Sequence, residues 1–278
     1  MKLYKLLVLL FIVVLVLLLN NIYSSFGNTT LEYNNAICLI TFKPREIYCD
    51  FLNSFINYKI FVMVDDNEFD LTQFRINYKN ITFIQIDNKE CEKNGYINVN
   101  YMIKNLSSWD KALYYFGVIN KKFDKVWFIE DDVFFYNEEL IIKIDAKYKD
   151  DDLLSRYPDA VNNGDRKDWH WGSVTDIKFD HPHYGGMMCC VRMSRNMLES
   201  IHNYAKKHKT LFFLEILFPT IAKKNNLKYS NPDEFYTIFW PGGPLKDEDI
   251  NANGLFHPIK DLDKHESFRK KIINSFFK

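Results

Sequence analysis

The chain has 278 residues, of which 47% are hydrophobic and 26% are charged, as expected of a globular protein. It carries 36 basic and 36 acidic residues, so its formal net charge is zero. This balance argues against nucleic acid as the main partner, because binding to a phosphate backbone depends on positive charge. One large α/β domain fits this length, and two small domains are the less favoured alternative.

The amino terminus has the pattern of a membrane-targeting segment. Lys2 and Lys5 precede an uncharged run over residues 6–19, and positive charge ahead of such a run keeps the N-terminus in the cytosol. An uncleaved signal anchor is the favoured interpretation. A cleaved signal peptide is the alternative, because residues 25–27 (Ser-Phe-Gly) offer a small-x-small cleavage site.

The expected organisation has four parts. Residues 1–5 form a cytosolic tail, 6–23 the signal anchor, 24–35 a short stem, and 36–278 one globular domain. We therefore expect a single-pass type II membrane protein whose domain faces the ER or Golgi lumen, or a secreted protein if the segment is cleaved. Three sequons are compatible with that compartment: Asn28-Thr29-Thr30, Asn80-Ile81-Thr82 and Asn105-Leu106-Ser107.

Strand and helix patterns alternate in the first half of the domain. Continuous apolar runs predict strands buried on both faces at residues 36–42, 59–64 and 81–86. Between the first two strands, residues 45–57 carry apolar side chains at helical spacing. This alternation implies an α/β fold with a mostly parallel, Rossmann-like sheet flanked by helices.

A further helix and strand follow. Ser107 and Asp110 predict a helix N-terminus, with Ser107 as the N-cap and Asp110 at the third helical position. An inward-facing apolar stripe continues the helix: Trp109, Ala112, Leu113 and Phe116. The helix leads into residues 126–129, which predict a fourth buried strand.

Three adjacent carboxylates, Glu130, Asp131 and Asp132, follow that strand directly. At the end of an apolar strand they would repel one another and resist desolvation unless a cation neutralised them. Mg²⁺ and Mn²⁺ bind to a few carboxylates together with substrate phosphates. The triplet therefore predicts a metal–diphosphate site, and a solvated acidic turn is the alternative interpretation.

Other polar residues end the neighbouring strands. Thr41 closes the first strand, Asp65 and Asp66 follow the second, and Asp87 follows the third. The carboxyl ends of parallel strands meet at one edge of the sheet, where ligands of α/β proteins bind. We therefore expect these side chains and the acidic triplet to converge on one crevice.

The second half of the chain is less regular. Residues 145–180 are rich in Asp, Asn, Lys, Trp and Gly, and this composition predicts long loops. An apolar run at 187–191 comes next, and Ser194 then predicts an N-cap for a helix that continues to about residue 207. Residues 211–224 predict another helix, interrupted near Pro219.

The sequence lacks the motifs of several other enzyme classes. It contains no P-loop, no GxGxxG and no convincing Ser/His/Asp or Cys/His arrangement. Kinases, dehydrogenases and serine or thiol hydrolases are therefore poorly supported. The cysteines permit disulfides in an oxidising compartment but indicate no pairing. There are five of them: Cys38, Cys49, Cys91, Cys189 and Cys190.

With these elements in order, the chain resembles the GT-A class of nucleotide-sugar glycosyltransferases, in its type II membrane-anchored form, over residues 36–261. The segments that carry the resemblance are KIFVMVDDN (59–67), WFIEDDVFF (127–135), HYGGMMCCVRMSRNMLESI (183–201), LFFLEILFPTIA (211–222) and GLFHPIKD (254–261). WFIEDDVFF is similar to the DxD element of that class in its Glu-Asp-Asp form. The tail lacks the QxxRW-type motif of processive synthases, so polymer extrusion is not expected.

The resemblance implies a donor side that holds a metal ion and a nucleotide sugar. Asp132 is the expected direct ligand of Mn²⁺ or Mg²⁺, and Glu130 and His257 complete the expected metal site. The residues expected to bind the nucleotide sugar are Thr41, Asp65, Asp66, Asp131 and Lys260. For Asp65 and Asp66, an ordinary turn after a strand is the alternative.

The resemblance also implies an acceptor side. Glu215 is the expected general base if the reaction inverts configuration, since apolar neighbours raise a carboxyl pKa toward the working range. The class has an acidic pair on this helix, whereas this chain has a single acid. The other residues expected on the acceptor side are Trp169, Trp171, Gly185 and Gly186, with core packing or a turn as their alternative roles. His181 and His183 are acceptor-side or structural.

These expectations lead to one favoured function and two alternatives. The favoured function is metal-dependent transfer of a sugar from a nucleotide-diphosphate sugar, with UDP-sugar as the expected donor, to a glycan or glycoprotein. One alternative is a metal-dependent nucleotidyltransferase or phosphohydrolase, which also gathers acidic residues at strand ends. The other is a membrane-anchored carbohydrate-binding protein without catalysis.

Overall fold

Strands and helices alternate through most of the described chain. The computed structural model describes residues 33–100, 106–174 and 177–276, without the side chains of residues 157–159. The expected tail, the expected anchor and nearly all of the expected stem therefore lie outside the described residues. Within the described residues, no helix is both long and apolar enough to span a membrane.

The strands are β1 (Asn35–Thr41), β2 (Lys59–Val64), β3 (Ile81–Ile84), β4 (Lys125–Glu130), β5 (Leu153–Asn162), β6 (His183–Ser194) and β7 (Tyr229–Ser230). The α-helices are α1 (Glu46–Asn53), α2 (Thr72–Asn77), α3 (Asn88–Lys93), α4 (Ser108–Tyr114), α5 (Glu138–Lys147), α6 (Arg195–His208), α7 (Leu214–Lys224) and α8 (Asp263–Phe276). A π-helical turn, Tyr115–Ile119, continues α4, and two 3₁₀ turns lie at Asp233–Phe235 and Asp247–Asp249.

One seven-stranded sheet, in the order β3-β2-β1-β4-β6-β5-β7, forms the centre of the fold. The strands β3, β2, β1 and β4 run parallel to one another. Strand β6 is antiparallel to both β4 and β5, and β7 pairs parallel with β5. The predicted α/β fold with a central sheet is confirmed, and the reversal at β6 makes this sheet mixed.

Burial explains why the apolar runs form strands. Ala36 to Ile40 of β1 are at most 4% exposed, and Ile60 to Val64 of β2 at most 2%. Strands covered on both faces need apolar side chains at every position rather than at alternate ones. The strands predicted at 36–42, 59–64 and 81–86 are confirmed within two residues, while the helix predicted over 45–57 is shorter and forms α1.

The prediction of long loops over residues 145–180 is wrong for residues 145–162, whereas residues 163–174 and 177–180 contain no helix or strand. The segment contains the end of α5 and the ten-residue strand β5. The Asp145 carboxylate belongs to a buried network rather than to a loop, since Arg192, which is 0% exposed, bonds it at 3.0 Å. Strand β5 pairs with β6 through two register shifts, and this irregularity hides the alternation that would indicate a strand.

Two of the predicted helix caps are confirmed and one helix boundary is wrong. Ser107 and Asp110 form a reciprocal capping box at the start of α4, and Ser194 Oγ accepts from Met197 N at 3.1 Å at the start of α6. Helix α7 begins at Leu214, three residues later than predicted, and continues through Pro219 without interruption. Because proline has no N–H, the carbonyl of the residue four positions earlier loses its usual helical partner.

All five cysteines are buried and free. They lie on β1, α1, α3 and β6, where they behave as small apolar side chains in the core. Burial raises the pKa of each thiol well above its ordinary range. The described residues therefore contain no disulfide.

Candidate active site

The sheet brings several of the predicted polar residues to one edge. In the parallel pairing of β1 with β4, Ile40 lies beside Glu130, and Asp131 N donates to Ile40 O at 3.2 Å. On the other side of β1, Asp65 N donates to Thr41 O at 3.0 Å. Thr41, Asp65 and the acidic triplet therefore lie side by side where the parallel strands end.

Three of these side chains and one from the chain end form a compact ligand set. One ligand atom from each of Glu130, Asp132 and His257 lies within 4.8 Å of the other two. His257 Nε2 is 3.2 Å from Asp132 Oδ1. These are the three residues expected at the metal site, and metal binding by them stays a prediction.

Backbone hydrogen bonds bring His257 to the triplet. Phe134 and Phe256 exchange hydrogen bonds of 2.8 and 2.9 Å, and Ile259 N donates to Asp132 O at 2.7 Å. A parallel bridge between Ile238 and His257 fixes the segment on its other side. A stretch more than a hundred residues away in sequence is thus paired directly onto the residues that follow β4.

Hydrogen bonds from outside the cluster orient two of its members. His257 Nδ1 lies 2.6 Å from Phe239 O, and because a carbonyl can only accept, that nitrogen carries a proton. Nε2 faces Asp132: a proton on Nε2 is donated to that carboxylate, and loss of this proton leaves the Nε2 lone pair available to a metal ion, as in metal-binding histidines. The indole Nε1 of Trp109 donates to Glu130 Oε1 at 2.7 Å.

Negative charge is crowded in the cluster. Burial, and after it the charge of Asp132, raises the pKa of Glu130 to about 7. Burial also raises the pKa of Asp131, against the hydrogen bond from Thr41. Burial lowers the pKa of His257, but the hydrogen bond to Asp132 and its charge outweigh that effect and the pKa is raised. A cation bound here would stabilise the charged forms of the two carboxylates against the burial that raises their pKa.

The spacing of the donor atoms suits a small divalent ion. Adjacent ligands of an octahedral ion with bonds of about 2.1 Å lie about 3 Å apart. The 3.2 Å between His257 Nε2 and Asp132 Oδ1 matches this separation. Two carboxylates and one imidazole form a donor set for Mn²⁺, since carboxylates suit hard ions and an imidazole suits transition metals. The residues present therefore fit the expected metal.

Asp131 points away from the cluster. Its Oδ2 accepts from Thr41 Oγ1 at 2.5 Å, and its carbonyl accepts from the hydroxyl of Tyr48. Two residues predicted to contact the donor are therefore bonded to each other. Their place at the strand edge is compatible with donor contact, which stays a prediction.

Asp65 and Asp66 have different environments. Asp65 Oδ1 is 3.0 Å from Lys111 Nζ, and the Lys111 side chain is fully buried. Asp66 accepts from Glu68 N at 2.9 Å, as a turn residue does, and pairs with Lys43 at 3.2 Å. The bond from Glu68 N is the main cause that lowers the pKa of Asp66. Lys111 follows Asp110 at the start of α4, and a lysine in the first turns of a buried helix needs a partner for its charge.

A cleft of about 270 Å³ opens beside the cluster. It is lined by Asn100, Glu130, Asp132, His170, Met187, Cys189, Phe213, Leu214, Glu215, Trp240, Pro241, His257 and Lys260. The predicted base, Glu215, therefore shares one cleft with the three residues of the ligand set. Lys260 is exposed at this cleft, so its ammonium group is available to an anionic ligand.

Glu215 lies in the first turn of α7. Leu214 N donates to Val99 O at 2.9 Å and so fixes the start of this helix. Glu215 is 8% exposed, and burial followed by the charge of Glu130 raises its pKa to about 8. A hydrogen bond from Trp240 acts in the opposite direction. The expectation that apolar neighbours raise this pKa agrees with the structure.

The four other residues predicted for the acceptor side do not line this cleft. Trp171 lines a separate cavity of about 220 Å³ together with His181 and His183. A Cβ on Gly185 would lie 2.8 Å from the Trp169 ring and 3.1 Å from the Trp171 ring, so Gly185 packs directly against both indoles. Gly186 is buried in β6. Their acceptor-side role is left as a proposal.

His170 lines the cleft although the sequence analysis did not select it. Its ring centroid is 4.6 Å from that of Phe213, and its Nε2 is 3.9 Å from Glu215 Oε2. The two tryptophans beside it were selected instead, because they are aromatic residues in a predicted loop. Only the folded chain shows that the histidine between them faces the site.

No protein-family model matches the chain, and no curated protein matches it in sequence. Solved structures with some similarity include the galactosyltransferase LgtC in complex with donor and acceptor sugar analogs, aligned over 86% of this chain and 96% of that one, with 11% identity and a TM-score of 0.47. A 4-diphosphocytidyl-2C-methyl-D-erythritol synthase from Anaerococcus prevotii aligns over 86% and 96%, with 8% identity and a TM-score of 0.44. Mouse xyloside xylosyltransferase 1 aligns over 76% and 88%, with 10% identity and a TM-score of 0.40. At these identities and scores the similarity carries no argument about function, which has to come from the site residues.

Proposed function

We propose that the chain is a GT-A-type glycosyltransferase that depends on a divalent metal and uses a nucleotide-diphosphate sugar, with UDP-sugars as the first donors to test. The acceptor is a glycan or glycoprotein hydroxyl. One observation carries the proposal: the cluster of Glu130, Asp132 and His257 shares a cleft with a single buried acid, Glu215. A transferase of this kind needs both an ion for the diphosphate and a base for the acceptor.

The metal-binding residues of the proposal are Asp132 and His257, which hold the ion directly, and Glu130, which completes the set. A divalent ion bound there supplies positive charge to the donor diphosphate and to the departing nucleotide. Phe239 and Trp109 hold His257 and Glu130 in place through the hydrogen bonds described above. The imidazole among the ligands favours Mn²⁺ over Mg²⁺ as the first ion to test.

The remaining donor contacts follow the edge of the sheet. Lys260 pairs with the diphosphate from the rim of the cleft, since its ammonium group is exposed there. Asp65 and Asp66 accept hydrogen bonds from the nucleoside, and Lys111 holds the Asp65 carboxylate in place. Thr41 and Asp131 complete this side of the donor site as a hydrogen-bonded pair.

Glu215 acts on the acceptor. In an inverting reaction, the acceptor oxygen forms a bond to the anomeric carbon while the bond from that carbon to the diphosphate oxygen breaks. The acceptor proton moves to Glu215, and the nucleotide diphosphate leaves with the bonding electrons. Glu215 acts as the base in its ionised form, and a carboxylate whose pKa burial raises to about 8 is then a stronger base than an exposed one.

The type II topology and the lumenal location are also proposals, since they rest on residues 1–23 of the sequence. Trp169, Trp171, Gly185 and Gly186 are proposed to support the acceptor side. The packing of Trp169, Trp171 and Gly185 against one another supports a position behind the cleft.

The decisive experiment is a donor screen on the purified full chain, with Mn²⁺ and with a chelator, that measures nucleotide release and sugar transfer. Metal-dependent release of UDP from a UDP-sugar, increased by a glycan acceptor, is the expected result. Glycan binding without turnover of any donor would favour the non-catalytic carbohydrate-binding alternative. Release of pyrophosphate from a nucleoside triphosphate, or hydrolysis of nucleotides without sugar, would favour the nucleotidyltransferase or phosphohydrolase alternative.

A further inference from the structure

His170 and Glu215 face each other across a short gap in the cleft. His170 Nε2 lies 3.9 Å from Glu215 Oε2, which is longer than a hydrogen bond. Glu215 Oε2 is buried and accepts no hydrogen bond within the described residues. An unsatisfied buried carboxylate oxygen is costly, so its presence at a cleft indicates a donor group that arrives with a ligand.

The turn that carries His170 is held in a strained and specific shape. Trp169 has a φ of 51°, in the left-handed region that tryptophan rarely adopts. His170 O accepts from Val174 N at 3.0 Å, and the ring of His170 packs on those of Trp169 and Phe213 at centroid distances of 4.8 and 4.6 Å. These contacts leave the imidazole directed toward α7.

The tryptophans and the glycine behind them explain how this strain is maintained. The rings of Trp169 and Trp171 meet edge to face at 4.9 Å, and Gly185 leaves room for both against β6. Arg166 braces the start of the turn through two hydrogen bonds to the Asp168 carboxylate. Trp169 and Trp171, which were expected to contact an acceptor sugar, therefore support the histidine between them.

We propose that His170 is a second acceptor-side catalytic residue and that the reacting hydroxyl of the acceptor binds between His170 Nε2 and Glu215 Oε2. The inference rests on the proposed glycosyltransferase function and adds to it the place of the nucleophile. The imidazole donates its Nε2 proton to the hydroxyl oxygen, and the hydroxyl donates its own proton to Glu215. When the glycosidic bond forms, the hydroxyl proton passes to Glu215, and His170 keeps its Nε2 proton.

The gap between the two side chains is slightly narrower than this arrangement requires. A hydroxyl oxygen about 2.8 Å from both atoms, at a tetrahedral angle, requires them to be about 4.6 Å apart. The two groups therefore separate by about 0.7 Å from their 3.9 Å distance when the hydroxyl enters. Burial lowers the pKa of His170, so the ring is neutral near neutral pH and has one N–H to donate.

The test compares two substitutions in the full chain with Mn²⁺ and the donor found by the screen. His170→Phe keeps the stacking on Phe213 but removes the N–H group, whereas His170→Gln keeps an amide N–H close to the position of Nε2. We expect kcat/KM for the acceptor to fall about 100-fold in His170→Phe and at most about tenfold in His170→Gln. The affinity for UDP with Mn²⁺, measured by calorimetry, and the melting temperature should stay at their wild-type values in both.

Two results would overturn the inference while leaving the proposed function intact. The first is acceptor kcat/KM of His170→Phe within threefold of the wild type. The second is an equal loss in both variants together with weaker UDP binding, which would mean that His170 only supports the fold. If the wild type itself neither binds UDP with Mn²⁺ nor turns over any nucleotide sugar, the proposed function fails and the inference fails with it.

Discussion

In the proposed function, the two ends of the cleft, a metal end and an acceptor end, use carboxylates in opposite ways. At the metal end, Glu130 and Asp132 lie within reach of each other and of His257, so like charges crowd together. At the acceptor end, Glu215 is the only carboxylate among the described residues that line that part of the cleft, and it lies among Phe213, Trp240 and His170. Crowding makes a group of carboxylates a cation ligand, whereas isolation in an apolar environment makes a single carboxylate a base.

The two ends also differ in how they are built. The metal end is fixed by backbone pairing between the residues after β4 and the segment around Phe256. The acceptor end combines the first turn of a helix with a strained turn that packed aromatic rings support. A rigid end suits an ion whose ligands need fixed spacing, and an end formed by side-chain packing suits an acceptor that has to enter and leave.

The largest effect is expected from Asp132→Asn, which keeps the size of the side chain and removes its charge. Sugar transfer should fall by at least about a thousandfold, because a direct ligand of the ion is lost. Mn²⁺ affinity, measured by titration calorimetry, should fall by about a hundredfold.

Asp165→Asn is the matched control for Asp132→Asn, because Asp165 is exposed and does not line the cleft. It should leave transfer and Mn²⁺ affinity unchanged. If Asp132→Asn bound Mn²⁺ as tightly as the wild type, the metal end would have been assigned to the wrong residues.

Glu215→Gln should impair the acceptor end of the cleft and leave the metal end intact. The acceptor should lose its base, so transfer should fall by about a hundredfold or more. Affinity for Mn²⁺ and for UDP should change by less than about threefold, since neither contact involves Glu215. Calorimetry and single-turnover transfer measure the two properties independently, and a parallel loss of metal binding would show that the ends act as one unit.

The raised pKa of Glu215 also predicts how stability depends on pH. Its ordinary value is 4.5 and its value in the folded chain is about 8. Between these values the folded state binds more protons than the unfolded state, so the contribution of Glu215 to stability is lost as pH rises through this range. The glutamine of Glu215→Gln does not titrate, so the variant does not lose stability in this way. The free energy of unfolding of the variant minus that of the wild type should therefore increase by roughly 1–3 kcal/mol from pH 5 to pH 9.

Urea unfolding at pH 5, 7 and 9 in the presence of a chelator checks this dependence. Glu139→Gln, at an exposed glutamate on α5, is the control and should show no such trend. A constant difference between Glu215→Gln and the wild type across the pH range would mean that Glu215 is ionised in the folded chain throughout.

The smallest effect concerns the group that orients Glu130. Trp109→Phe removes the indole N–H that bonds Glu130 Oε1 and keeps most of the packing. Mn²⁺ affinity should fall by about tenfold, as is usual when a partner of a ligand is lost. Trp127→Phe is the control, because its indole is also buried but bonds Asp145 instead, and an equal loss in both variants would indicate a packing effect.

The polar strand ends of the proposed donor half could be placed in the fold from the sequence because their signals are local. Apolar runs that end in polar residues indicate buried strands, and parallel strands bring their ends together. Asp132 and Glu130 were identified by position alone, and the link to His257 came from the resemblance to a family. The pairing of Phe134 with Phe256 that joins them spans most of the second half of the chain, and no local pattern encodes it.

The acceptor half could not be predicted in the same way. Strand β5 carries Pro158 and pairs through register shifts, so its sequence resembles a loop. Asp145 belongs to a helix and to a buried ion pair with Arg192, which appears only when both elements are packed. His170 stands between two tryptophans, and which of the three faces the cleft depends on the left-handed backbone at Trp169.

The reactivity of the five free cysteines can report when the folded chain opens. Each thiol is buried and held in its unreactive protonated form. An aromatic disulfide reagent can therefore label it only when the residues around it move apart. Cys189 borders the cleft, whereas Cys38, Cys49, Cys91 and Cys190 do not. Labelling of that one position should therefore slow when a ligand fills the cleft, while labelling of the other four follows the unfolding of the whole domain.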